Sequence, residues 1–152
     1  MSITIYIDAD ACPVREEVYK VALRHHVPVV VVSNSYLRVL GHPLIKRAIV
    51  NDSFDAADDY IAERADASSI VITADILLAE RCLNSGAIVI APNGKPFTND
   101  SIGSAIAVRA IMVDLRAGAS GDNIGGPLPF TGADRSKFLQ ALHESVVRLK
   151  RG

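Results

Sequence analysis

The chain has 152 residues, of which 49% are hydrophobic and 22% charged, and its formal net charge is −1. These proportions predict one globular domain over residues 1–152 and exclude a disordered chain, and no apolar run reaches the ~18 residues of a membrane span. With only two cysteines and no basic and apolar leader at the N-terminus, we expect a cytoplasmic protein without a disulfide framework.

Apolar, β-rich runs alternate with segments of helical periodicity along most of the chain. The predicted strands are Ile3–Ile7, Pro28–Val32, Ile45–Val50, Ser69–Thr73 and Ala87–Ala91. The predicted helices are 14–25, Phe54–Ala65 (N-capped by Asn51, Asp52 or Ser53), Ile76–Ser85, Asn99–Ala117 and Asp134–Arg151. Residues 93–96 and 118–132 are predicted loops. This alternation predicts a three-layer α/β/α sandwich with a mainly parallel five-stranded sheet.

Polar side chains follow several of the predicted strands. Asp8 and Asp10 come directly after the first strand, Asn34 follows the second, and Asp75 follows the fourth. Ligands of open parallel sheets bind beyond the carboxyl ends of the strands, so these residues are expected at one ligand-binding edge. Each also has a structural alternative, since Asp75 could cap the next helix and Asp8 could stabilise a turn.

Three further acids begin the helix after the third strand: Asp55, Asp58 and Asp59. Their spacing places them on one helix face, although acids in a first turn are also favoured by the helix dipole alone. Carboxylates gathered without cations raise one another's pKa, and a divalent ion relieves this repulsion. Carboxylate oxygens suit Mg²⁺ or Mn²⁺, and the histidines offer no zinc site because His42 and His143 are isolated in sequence.

Two reactions suit these acids. In the first, bound ions activate water and stabilise the leaving oxygen of a phosphodiester. In the second, Asp8 attacks a phosphate and Asp10 acts as acid or base. The Asp-x-Asp after the first strand and the segment Val29–Ser33 resemble the opening motifs of haloacid-dehalogenase-type phosphatases. In that alternative, a small-molecule phosphatase, Lys46 is the candidate phosphate-binding lysine and Asp75 the metal ligand.

Five motifs are distinctive along the chain. They are Asp8-Ala9-Asp10-Ala11-Cys12-Pro13-Val14, Phe54-Asp55-Ala56-Ala57-Asp58-Asp59, Val71-Ile72-Thr73-Ala74-Asp75-Ile76, Gly125-Gly126-Pro127 and Asp134-Arg135. In this order, and over nearly the whole chain, they resemble the bacterial YaiI/YqxD family. That family in turn resembles PIN-like nuclease domains, which implies a sandwich with a central parallel sheet and an acidic metal site at its carboxyl edge.

The PIN-like resemblance also implies roles for individual residues. Asp8 matches the aspartate of the first strand, and Asp58 resembles the start of an Asp-x-x-Ile-Ala helix motif, which Asp55 fits almost as well. Asp75 resembles the Thr-x-Asp at the end of the fourth strand. PIN-like domains carry another acid shortly after it, whereas the next acid here is Glu80. Either Asp10 substitutes for the missing acid, or the site is incomplete and the chain is a non-catalytic RNA- or protein-binding module.

The second half of the chain is basic. Residues 1–76 carry a net charge of −4 and residues 77–152 one of +3. Arg109 and Arg116 share a helix face, and Arg135 opens the last helix beside a glycine-rich loop, where an anion can bind. With Asn34, these arginines are predicted to bind phosphate, and the alternative is a salt bridge to Asp114 or to one of the clustered acids.

The sequence therefore predicts a metal-dependent phosphodiester hydrolase acting on nucleic acid, RNA in particular, or on a nucleotide. The predicted catalytic residues are Asp8, Asp10, Asp58 and Asp75. The predicted Mg²⁺ or Mn²⁺ ligands are the same four residues with Asp55 and Asp59. No membrane partner is expected, and a homo-oligomer is left open.

Overall fold

The computed structural model describes residues 2–9, 12–51, 53, 55–118 and 130–151, without the side chains of 109 and 113–118. Six strands form one sheet: β1 (Thr4–Asp8), β2 (Val29–Ser33), β3 (Ile45–Ile49), β4 (Ser69–Ile72), β5 (Ile88–Ile90) and β6 (Pro96–Phe97). Their order is β3-β2-β1-β4-β5-β6, and all neighbours are parallel except β5 and β6. The helices are α1 (Arg15–His25), α2 (Ala56–Arg64), α3 (Ile76–Asn84), α4 (Asn99–Gly118) and α5 (Gly132–Lys150).

The sheet is buried on both faces, because its strands carry apolar residues toward both. Ile5 and Ile7 of β1 belong to a core formed with α1 and α5, whereas Val71 of β4 belongs to a second core formed with α2, α3 and α4. Burial on both faces is typical of strands joined by helical crossovers. The predicted three-layer α/β/α sandwich is thus confirmed. No helix within the described part of the chain has the length and apolarity to cross a membrane.

All five predicted strands are present within one or two residues of their predicted bounds, but the sheet has a sixth, β6, which starts in the predicted 93–96 loop. A tight turn causes the difference. The backbone N–H of Gly94 donates to the carbonyl of Ala91 and that of Ala91 to the carbonyl of Lys95, both at 2.9 Å. The chain therefore reverses quickly enough for Pro96–Phe97 to pair with β5.

The predicted N-cap of α2 is wrong. The helix begins one residue after Asp55, whose side chain makes no capping hydrogen bond. Asn51 instead closes a local turn, since its Oδ1 accepts from the backbone N–H of Ser53 at 3.0 Å. Such side-chain-to-backbone bonds compete with helix capping. Asp52, and positions 119–129 of the predicted glycine-rich loop, lie outside the described residues.

Replacing Gly94 with alanine should destabilise the fold by roughly 1–3 kcal/mol. Gly94 has a φ of +88°, and an added Cβ would lie 2.6 Å from the carbonyl carbon of Lys137 and 2.7 Å from the amide nitrogen of Phe138 in α5. Urea denaturation measures the loss. As a control, Gly103→Ala in α4 meets no atom within 4 Å and should stabilise the helix slightly. Equal stability of the two variants would contradict the close packing of this turn against α5.

Candidate metal site at the carboxyl edge of the sheet

The strand order defines a crevice beyond the carboxyl ends of β1 and β4. From β1 the chain crosses through α1 to β2 on one side, whereas from β4 it crosses through α3 to β5 on the other. The two crossovers diverge at this point, which is the topological switch point of the sheet and the usual ligand-binding position in open α/β sheets. Asp8 ends β1, and Thr73 and Asp75 follow β4, so the sequence motifs meet at this crevice.

Thr73 connects the two sides of the crevice. Its buried hydroxyl donates to Oδ2 of Asp8 at 2.9 Å and accepts from the backbone N–H of Asp75 at 3.0 Å. The Asp8 carboxylate on β1 is therefore tied to the segment that follows β4. Hydrogen bonds of this kind orient a carboxylate before a ligand binds.

Asp75 caps helix α3. Its Oδ1 accepts from the backbone N–H groups of Leu77 at 2.9 Å and Leu78 at 3.2 Å. The alternative role of Asp75 as a helix cap is thus confirmed, and the cap fixes where its carboxylate lies. Because only Oδ1 makes these bonds, capping and metal binding are not mutually exclusive.

The negative charge of neighbouring acids acts on Asp58 of α2. Burial is the largest cause that raises its pKa, to about 6, and Asp75, Asp8 and Asp55 raise it further. Arg81 acts in the opposite direction. Four predicted acids are therefore near enough to interact electrostatically, although they come from three separate stretches of sequence. A carboxyl group with such a raised pKa is a common feature of functional sites.

Asp59 is placed differently from the other acids. Its Oδ1 accepts from Nη1 of Arg81 at 2.9 Å, and both side chains are about half exposed. This ion pair joins α2 to α3 and neutralises the supporting acid. The tertiary partner could not be read from sequence, since Arg81 lies in another helix and belongs to none of the motifs.

Among the described residues, no group of three or more His, Cys, Asp or Glu side chains is arranged to hold a metal ion. Asp10, the substitute ligand suggested by the sequence, lies outside them. Cys12 lies close to the predicted site, but burial raises the pKa of its thiol to about 11, so the thiol is protonated at neutral pH.

The predicted phosphate-binding residues lie in different parts of the fold. Asn34 is exposed just beyond β2, whereas Arg109 and Arg116 lie in α4, where their side chains are not described. Arg135 makes structural contacts: its Nη1 donates to Glu17 Oε1 at 3.0 Å and to the carbonyl of Pro13 at 2.8 Å. The salt-bridge alternative thus holds for Arg135, with Glu17 as a partner that the sequence did not indicate.

The histidines show a second contact that sequence reasoning missed. Nε2 of His25 lies 3.0 Å from Nδ1 of His143, and the ring centroids are 5.0 Å apart. His143, although isolated in sequence, therefore has a partner in the fold. The two residues are far apart in sequence, and only the packing of α1 against α5 brings them together.

The fold and the site together define the class of protein: a three-layer α/β protein with an acidic crevice at the topological switch point of its sheet. A family model described as "Uncharacterized BCR, YaiI/YqxD family" matches residues 6–148. The chain belongs to this family, as its motifs predicted.

Close relatives span nearly the same length. The chain is 67% identical over 148 residues to a "UPF0178 protein" of Sphingopyxis alaskensis, covering 97% of this chain and 96% of that protein. A protein of the same name from Nitrobacter winogradskyi is 57% identical over 150 residues, covering 99% and 94%. No solved structure matches the chain.

Proposed function

We propose that the chain hydrolyses phosphodiester bonds in RNA with a divalent metal ion. The observation that supports this most strongly is electrostatic: at the switch point of the sheet, Asp8 and Asp75 both raise the pKa of Asp58. Such repulsion is unfavourable for the protein alone and is relieved by a cation. A cation among carboxylates then attracts a phosphate group, which an acidic pocket alone would repel.

The chemistry of the donors fits Mg²⁺ or Mn²⁺. Every donor is a hard carboxylate oxygen, which these ions prefer over zinc-type nitrogen or sulfur ligands. Asp8, Asp58 and Asp75 are not arranged as a three-ligand group in the structure, so their side chains would have to move together to hold the ion, with Asp10 and Asp55 nearby in sequence as further ligands. When bound, such an ion supplies an activated water and charge stabilisation for the leaving oxygen.

The described residues would prepare this site in three ways. Thr73 holds the Asp8 carboxylate through its hydroxyl, and the α3 cap holds Asp75. Asp58, with a pKa of about 6, is the ligand whose charge changes in the weakly acidic range. Arg81 limits the total negative charge by pairing with Asp59.

The position of Lys46 favours this proposal over the phosphatase alternative. In the sheet register Lys46 pairs with Val30, whereas Asp8 pairs with Val32. Lys46 is therefore two residues below the level of Asp8, or roughly 7 Å along the strands, and two strands away. The backbone of Lys46 therefore lies away from the carboxyl edge, whereas the phosphatase needs a lysine at that edge to bind the phosphate that Asp8 would attack.

Asp75→Asn tests the metal site. Asparagine caps helices as well as aspartate does, so we expect little change in the ion-free melting temperature. Asp75→Ala should cost about 1 kcal/mol because it also removes the cap. Mn²⁺ should raise the melting temperature of the wild type and not that of either variant.

Asp100→Asn, which changes an exposed acid in the first turn of α4, is the matched control and should respond to Mn²⁺ as the wild type does. Equal stabilisation of wild type and Asp75→Asn by Mn²⁺ would exclude Asp75 as a ligand. An aspartyl-phosphate analogue formed on Asp8 with beryllofluoride would instead indicate the phosphatase.

A further inference from the structure

Helices α1 and α5 run side by side in the same direction on one face of the sheet. Glu17 contacts Arg135 near their N-termini, and His25 contacts His143 further along. At the C-terminal end, Nζ of Lys150 donates to the carbonyl of His25 at 2.7 Å. The groove between the helices therefore runs from the carboxyl edge of the sheet to its amino edge. We call it the α1–α5 groove.

The α1–α5 groove is lined by cationic and apolar side chains. A cavity in it is bordered by Lys20, Val21, Arg24, Leu139 and His143. The side chains of Lys20 and Arg24 are exposed and make no hydrogen bond or ion pair with any described residue. These two cations are thus available for a ligand, in contrast to Arg135.

The acids near the groove do not cancel this charge. Glu17 lies at one end and is paired with Arg135. Glu144 accepts a hydrogen bond from Gln140 at 3.1 Å, and Glu16 is exposed one turn before Lys20 without an ion pair among the described residues. The described residues that border the cavity include no acid.

We propose that the α1–α5 groove binds the phosphate backbone of single-stranded nucleic acid. The choice of ligand rests on the proposed function, and the binding surface itself rests on charge complementarity. Lys20 and Arg24 are one helical turn apart, about 6 Å, so they can contact neighbouring phosphates. The described residues that border the cavity span about one turn of each helix, Lys20–Arg24 and Leu139–His143, which is enough for about two phosphates.

The two histidines favour nucleic acid over an acidic peptide. The ring of His143 is exposed and in contact with that of His25, with an interplanar angle of 37°. The exposed imidazole of His143, which borders the cavity beside these cations, provides a surface on which an unpaired base can stack. A duplex would not offer its bases in this way, and the whole-chain charge of −1 also disfavours long duplexes.

Fluorescence anisotropy with a labelled single-stranded RNA, in EDTA and over a series of salt concentrations, tests the proposal. For the double variant Lys20→Gln/Arg24→Gln we expect roughly tenfold weaker binding than for the wild type. The slope of log K against log salt should fall by about 1.4, because each phosphate contact on a single strand contributes about 0.7. Glutamine preserves helix propensity, and circular dichroism checks that the variant is folded.

Arg38→Gln/Lys95→Gln is the matched control, since it removes the same charge from exposed side chains that do not border the cavity and should bind like the wild type. An equal effect of both double variants, or no RNA binding by the wild type, would overturn the proposal. Polyglutamate that displaces the RNA as well as unlabelled RNA does would assign the groove to acidic proteins instead.

The experiment separates this proposal from the hydrolase proposal, because EDTA removes the metal that hydrolysis requires. RNA that binds through Lys20 and Arg24 but is not cut when Mn²⁺ is added would contradict only the hydrolase. Cleavage of RNA with Mn²⁺, together with normal RNA binding by Lys20→Gln/Arg24→Gln, would contradict only the proposal that the groove binds RNA.

Discussion

Replacing Asp8 with asparagine should reduce Mn²⁺-dependent hydrolysis of RNA by at least about 100-fold. Loss of a residue that orients a ligand typically costs 10- to 100-fold, and loss of a charged ligand itself costs more. The amide oxygen of asparagine can still accept the hydrogen bond from Thr73, so we expect the variant to fold. Initial rates with a fluorogenic single-stranded RNA measure the effect.

Two further variants test whether the loss of activity comes from the acidic crevice. Thr73→Val removes the hydroxyl that holds Asp8 and should reduce the rate by roughly tenfold, because the ligand remains but its orientation is lost. Asp100→Asn leaves the crevice unchanged and should retain the wild-type rate. If Asp8→Asn is as active as the wild type, the acidic crevice does not carry out the hydrolysis.

Much of the acidic crevice follows from local sequence patterns. Asp8 and Asp75 were predicted to meet because each follows a buried strand, and parallel strands place their carboxyl ends at one edge. Thr73 was part of a recognised motif but was not predicted as a site residue. Its position directly after β4, two residues before the capping aspartate, is the signal that could have identified it.

The missed contacts depend on tertiary packing. The partners of Asp59, Arg135 and His143 are Arg81, Glu17 and His25. In each pair the two residues lie on different helices, and no spacing rule relates side chains on two helices until their packing is known. Strand β6 was missed for a similar reason, since its two residues carry no strand pattern and owe their pairing to the turn at Gly94.

Asp58→Asn should reverse the order of stability of the two proteins, depending on whether Mn²⁺ is present. Without the ion, the folded-state pKa of about 6 exceeds the ordinary 3.8, so the folded protein binds more protons between these values. The contribution of Asp58 to the stability must therefore fall as pH rises from about 4 to above 6. Asparagine stays neutral, and at pH 8 the variant should be more stable by about 1 kcal/mol, a modest value because solvent screens the partly exposed carboxyl.

With Mn²⁺ at pH 8 the wild type should become the more stable protein, because its ionised Asp58 holds the ion and binding stabilises the folded state. For the wild type, Mn²⁺ affinity should also rise with pH through about 6, where Asp58 loses its proton. The variant should bind Mn²⁺ roughly 100-fold more weakly. Thermal denaturation of both proteins at pH 4.5 and pH 8, with and without Mn²⁺, measures these differences in stability. Equal stabilisation of both proteins by Mn²⁺ at pH 8 would show that Asp58 senses its neighbours without binding metal.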